Sequence, residues 1–153
     1  MSELPRFILV IPNIRSGHNV GAMFRTADGA GIDKIYLTGY SPVPPHPQVD
    51  KVSLGAEKFV PWEYVKQTGT LLKKLKNQGY TIVGLEQTKK SVSIYSYKPQ
   101  FPLVLVVGNE KTGLTARLLK YCDATVEIPM RGKKNSLNVS VAAGIAMYQL
   151  SQK

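Results

Sequence analysis

Between positions 131 and 138 the chain reads R-G-K-K-N-S-L-N, a basic and polar stretch between an apolar strand and a helix of small residues. The cations Arg131, Lys133 and Lys134 suit phosphate, and Ser136 and Asn138 are good helix N-caps. Free N–H groups of a first helical turn attract polar or anionic ligands, so the stretch reads either as a ligand loop or as a well-capped helix start. A second candidate is G-N-E-K-T-G-L over residues 108–114, placed directly after an apolar run, where phosphate loops occur. Leu114 stands where a Walker lysine belongs, so P-loop chemistry is excluded. The G-x-G at Gly29 and Gly31 closes a helix instead of opening one, which removes a dinucleotide fingerprint. His18 and His46 are too separated for a metal cluster, and no Ser/His/Asp set is present. Arg25 lies one helical turn beyond Gly21, which leaves room for a ligand beside the guanidinium; the plainer reading is an exposed pair with Asp28 at i, i+3.

The elements that must position these residues follow from apolar periodicity. After residue 138, Val139, Ala143 and Met147 repeat at i, i+4, i+8, with Ala142, Ala146 and Leu150 on the adjoining line, so a C-terminal helix buries one broad stripe. Gly144 interrupts that helix at a cost of about 1 kcal/mol, which predicts a close neighbour there. Residues 7–11 form a short buried strand closed by Pro12, and a helix capped by Asn19 follows, burying Val20, Met23, Phe24 and Ala27. Residues 34–38 are a second strand. Four prolines make 39–50 an extended surface loop, and 51–62 is ambiguous, with a short edge strand ended by Pro61. Leu71, Leu72 and Leu75 anchor a helix whose outer face carries Lys73, Lys74 and Lys76 and which stops at Gly79. Strands at 80–85, 103–107 and 125–128 and a short helix at 115–121 complete the alternation. The pattern predicts an α/β fold, a mostly parallel sheet with helices on both faces. Residues 86–88 then fall at the strand edge where such sheets bind ligands.

At 153 residues the chain fits one domain spanning 1–153. Twenty Lys and Arg against ten Asp and Glu give a net charge of +10. Such an excess on a small domain favours a polyanionic partner, and nucleic acid is the default. The single cysteine, Cys122, excludes an internal disulfide framework and a cysteine-built zinc site, so no metal is expected and a reducing, cytoplasmic location is. No signal peptide or membrane-length apolar run is present in the sequence.

Three stretches taken together narrow the function. N-V-G-A-M-F-R-T-A at 19–27, V-V-G-N-E-K-T-G-L at 106–114 and I-P-M-R-G-K-K-N-S-L-N-V-S-V-A-A-G-I at 128–145 resemble the three ordered motifs of the SpoU/TrmH branch of the SPOUT superfamily. These are S-adenosylmethionine-dependent RNA methyltransferases acting on a ribose 2′-hydroxyl. The resemblance covers essentially the whole chain. It implies an α/β fold whose C-terminal segment forms a deep trefoil knot, with Gly108, Gly113 and Gly144 admitting close backbone, and a homodimer packed through the first and last helices. It places the S-adenosylmethionine pocket at Leu85, Glu86, Gly108, Ile128, Met130, Ser136 and Leu137. It makes Arg25 the catalytic arginine, supported by Asn19, Glu110, Ser136 and Asn138.

In family mechanisms Arg25 would be the base. An arginine pKa above about 12 favours instead a phosphate clamp and oxyanion stabiliser, with the proton acceptor left open. In contrast to larger members of that family, a domain of this length is expected to carry no appended RNA-binding domain, so RNA would be held by Arg25, Lys111, Arg131, Lys133 and Lys134, through phosphate contacts that carry little sequence choice. Transfer RNA is the first expectation for the substrate and ribosomal RNA the second. A non-catalytic RNA-binding protein on the same fold is the alternative, disfavoured because it has no chemical need for Asn19, Arg25, Glu110, Ser136 and Asn138 together.

Overall fold

The computed structural model describes residues 4–152. Its first strand, β1 (Phe7–Pro12), is buried at every position, which requires cover on both faces. The other strands are β2 (Lys34–Thr38), β3 (Trp62–Val65), β4 (Thr81–Leu85), β5 (Val92–Ser93), β6 (Leu103–Val106) and β7 (Ala124–Glu127). They form one sheet in the order β3-β2-β1-β6-β4-β7-β5. Every neighbouring pair is parallel, so the sheet is wholly parallel where a mostly parallel one was expected.

Alternation along each strand divides the core. Phe7, Leu9 and Ile11 face α1 (Gly17–Ala30) and α5 (Val139–Leu150), which contribute Phe24, Ala27, Ala143 and Met147. Ile8 and Val10 face the opposite layer, where α3 (Thr68–Asn77) supplies Leu71, Leu72 and Leu75. The short α4 (Ala116–Leu119) joins that second layer through Leu118 and Leu119. Because β6 is inserted between β1 and β4, the C-terminal ends of β6, β4 and β7 stand side by side. Open parallel sheets bind ligands at such a change in strand order.

Several expectations change in detail. The N-cap of α1 is Ser16, whose hydroxyl accepts from the Asn19 N–H at 3.1 Å, so Asn19 lies inside the first turn. The proline-rich stretch does not stay extended: Pro47 opens a helix, α2 (Pro47–Ser53), with His46 as its cap. A Cβ on Gly21 would lie 2.4 Å from the Val49 carbonyl oxygen, so the bare side of Gly21 admits α2 and not a ligand. The edge strand begins after Pro61 instead of ending there, since a proline before a strand removes no ladder hydrogen bond. Gly144 meets the Thr26 side chain, 3.2 Å from a Cβ placed there, at the contact of α5 with α1. A Cβ on Gly108 would meet the backbone of residues 113 and 114, its own loop.

Candidate active site

The loops that leave β4, β6 and β7 enclose a cavity of about 490 Å³. Leu85 and Glu86 reach it from the end of β4 and Gly108 from the end of β6. Ile128 and Met130 follow β7, and Ser136 and Leu137 precede α5. All seven residues expected around the methyl donor therefore line one space. Its volume lies in the range of about 300 to 1,000 Å³ usual for small-molecule sites. Leu85, Ile128, Leu137, Val139 and Ala142 give it apolar walls, and its rim carries polar groups from residues 109–112.

Each loop is braced from within. The Glu86 carboxylate accepts from the Leu114 N–H at 2.7 Å and from the Gln87 N–H at 2.9 Å. This engages Glu86 with protein N–H groups and fixes the loop after β6. Gly113 has φ 66° and a Cβ there would collide with the Glu86 carboxylate, so two independent constraints require glycine. Asn109 Oδ1 accepts from the N–H groups of Lys111 at 2.8 Å and Thr112 at 3.1 Å, which closes the turn before Gly113. Gln87 Nε2 donates to the Asn135 carbonyl at 2.7 Å and ties the basic loop to the end of β4.

A polar chain joins the three motifs. Asn138 caps α5 by accepting from the N–H groups of Ser140 at 2.8 Å and Val141 at 3.3 Å, while Ser136 lies outside the cap. Its Nδ2 donates to Asn19 Oδ1 at 3.3 Å, and Asn19 Nδ2 donates to Glu110 at 3.4 Å. Glu110 also accepts from the backbone N–H groups of Ser16 at 2.9 Å and Arg15 at 3.1 Å, just ahead of α1. Burial alone would raise the Glu110 carboxyl; the N–H groups of Ser16, Glu110 itself and Arg15, with the Asn19 amide, outweigh it and hold the group below its ordinary value. The carboxylate is therefore ionised at neutral pH and locks the starts of α1 and α5 to the loop after β6.

Arg25 is not part of this cluster. It is exposed on α1, eight residues past Gly17 and thus about 12 Å further along the helix axis. It forms no salt bridge with Asp28, so neither the ligand gap beside Gly21 nor the i, i+3 pair read from sequence is present. Lys111, Arg131, Lys133 and Lys134 are all exposed, Lys111 on the cavity rim. No group of His, Cys, Asp or Glu among the described residues gathers as a metal site would require. Cys122 lies elsewhere; burial and then Asp123 push its thiol up to about 11, so it stays neutral. Sequence reasoning missed Asn109, although it stands inside a quoted motif; an Asn two residues before a Lys-Thr-Gly turn is the local signal for an Asx cap.

Residues 6–148 match the SpoU rRNA Methylase family. The chain belongs to that family. Among relatives of the SpoU type, the 23S rRNA (guanosine-2'-O-)-methyltransferase RlmB of Pseudomonas putida is 34% identical over 148 residues, which is 97% of this chain and 59% of that protein. The AdoMet-bound rRNA methyltransferase from Sinorhizobium meliloti superposes with a TM-score of 0.89 at 26% identity, over 98% of this chain and 57% of that one. The A. aeolicus TrmH/SpoU tRNA modifying enzyme superposes with a TM-score of 0.87 at 32% identity, over 97% of this chain and 75% of that one. The chain thus spans about three-fifths of the length of the curated relatives it matches, 59% for the Pseudomonas protein.

Proposed function

We propose that this chain is an S-adenosylmethionine-dependent methyltransferase that modifies a ribose 2′-hydroxyl of RNA, with ribosomal RNA ahead of transfer RNA. The observation that carries the reading is the convergence of seven expected donor-site residues on one cavity of about 490 Å³, whose lining includes Glu110, the end of the hydrogen-bonded chain from Asn138 through Asn19. The order of substrates reverses the one expected from sequence, because the Pseudomonas relative is named for 23S ribosomal RNA. The A. aeolicus relative is named for tRNA and keeps that substrate second.

The cavity suits the donor in chemistry as well as size. Leu85, Ile128 and Leu137 hold an adenine by apolar contact, while the strand ends at Gly108 and Ile128 offer backbone groups to its polar edge. Glu86 acts from behind by fixing residues 113 and 114. S-adenosylmethionine supplies a methyl group already activated by its sulfonium. The protein must therefore align the ribose hydroxyl and favour its ionised form. Arg25, permanently charged, clamps the phosphate beside the target ribose and stabilises the developing oxyanion. Glu110 and Asn19 hold the start of α1, and Ser136 and Asn138 shape the place where hydroxyl and methyl meet. Lys111, Arg131, Lys133 and Lys134 attract the RNA backbone.

Arg25 stands away from the cavity of its own chain, which favours a homodimer. Ala22 and Thr26, on either side of Arg25 along α1, line a groove against Gly144 and Ile145 of α5, with Val141 and Tyr148 exposed at its edge. A second copy docked there brings Arg25 to the interface. We also assign the chain a single domain and, from the motif resemblance, a trefoil knot in the segment between β7 and α5, which Gln87 Nε2 ties to the end of β4 through the Asn135 carbonyl. No helix among the described residues is long and apolar enough to cross a membrane. We assign the chain to a reducing, cytoplasmic compartment, the location expected from its single cysteine.

Incubation with methyl-labelled S-adenosylmethionine tests the reading. Label is expected in undermodified ribosomal RNA. Label in transfer RNA alone restores the other order, and donor binding without transfer to either RNA supports a non-catalytic RNA-binding protein.

A further inference from the structure

Tyr40 is an exposed aromatic residue pinned at both ends. It is 59% exposed, yet its backbone N–H donates to Asn13 Oδ1 at 3.1 Å and Asn109 Nδ2 donates to its hydroxyl at 3.0 Å. Beside it Tyr64, 44% exposed, donates its hydroxyl to the Gly39 carbonyl at 2.6 Å. Two solvent-facing rings are thus tied to one turn at the C-terminal edge of β2 and β3. The turn itself is specialised: Asn13 has φ 52°, Gly39 has φ 64°, and a Cβ on Gly39 would collide with the Asn13 side chain. Asparagine tolerates left-handed backbone better than most side-chain-bearing residues, and here the turn holds two rings that remain largely exposed.

Position gives the feature a use. Asn109, which holds the Tyr40 hydroxyl, also lines the cavity and donates to the Asn13 carbonyl at 2.7 Å. Its neighbour Glu110 belongs to the polar chain that joins the three motifs. Tyr40 therefore stands one side chain away from the cavity, on the side towards β1 and β2. Unpaired bases stack on fixed aromatic rings, whereas paired bases keep their faces inside the duplex.

We propose that Tyr40, flanked by Tyr64, is a stacking shelf for an unpaired nucleobase of the RNA strand that enters the cavity. The shelf rests on the RNA reading above and adds that the target ribose lies in a single-stranded segment, a loop or bulge.

Fluorescein-labelled single-stranded RNA and a matched duplex, titrated by anisotropy against wild type, Tyr40→Ala and Tyr40→Phe, test this directly. Tyr40→Ala should weaken single-strand binding about tenfold while Tyr40→Phe, which keeps the ring, stays close to wild type. Duplex binding and S-adenosylmethionine affinity should be unchanged in both. Equal single-strand affinity in wild type and Tyr40→Ala overturns the shelf. So does a loss in Tyr40→Phe as large as in Tyr40→Ala, which would assign the effect to the hydroxyl anchor. The parallel methyl-transfer assay separates the two claims. Ring-dependent RNA binding without transfer leaves the shelf standing and removes the catalytic reading; transfer with ring-independent binding does the reverse.

Discussion

Glu110 is exposed and yet fastens the N-terminal end of α1 through the N–H groups of Arg15 and Ser16. Its carboxyl lies below the ordinary value of 4.5 in the folded chain, so the ionised form adds stability at neutral pH that is lost as pH falls below that value. Glu110→Gln should therefore lower the melting temperature at neutral pH, and the difference from wild type should shrink as the buffer is acidified below 4.5. Thermal melts across that range check it; a constant difference would place the contribution in packing. Arg25 shows the opposite behaviour, a charged side chain with no salt bridge to its own Asp28. Arg25→Ala should reduce methyl transfer by about a hundredfold or more while calorimetry finds donor binding intact. Loss of donor binding in the folded variant would count against its assigned role. Of the seven expected donor-site residues that line the cavity, Gly108, Ile128, Met130, Ser136 and Leu137 were placed by motifs with fixed order, and Leu85 and Glu86 by their position at the end of an apolar strand. The bonding of Asn109 was not, since an Asn in a polar loop has many equivalent uses until its partners are in place.

Elements were legible in proportion to their burial. The apolar runs that became β1, β2, β4 and β6 are enclosed on both faces, and such runs have few alternatives. Strands β3 and β5 lie at the two edges of the sheet, and each offers only a short and partly exposed sequence. Helix α2 escaped because its prolines read as loop, whereas Pro47 at the first helical position is compatible with helix. Gly21 illustrates how a residue without a side chain misleads. Its vacancy is real but is filled by α2, whose Val49 carbonyl oxygen would sit 2.4 Å from a Cβ. Gly21→Ala should destabilise the fold by roughly 1–3 kcal/mol through overpacking between α1 and α2, read by chemical denaturation. A neutral result would mean that α2 moves aside at little cost.

At the scale of the whole molecule, the charge of +10 pointed to RNA and the wholly parallel sheet placed a cavity at its C-terminal edge. The knot proposed for the chain after β7 is not legible from local pattern, because periodicity reports which face is buried and says nothing of what a segment passes through. The proposed homodimer also belongs here. Val141 is 50% exposed on α5 beside the groove with α1, and Val141→Asp should convert the particle to a monomer in light scattering and reduce transfer, with the monomer still folded. An active monomer would return Arg25 to its own chain's cavity. The most direct test of the central claim is mass spectrometry of nucleosides from ribosomal RNA incubated with the protein and S-adenosylmethionine. The account predicts a new 2′-O-methylated nucleoside, absent with Arg25→Ala; a base-methylated nucleoside, or none with a donor-binding protein, would contradict it.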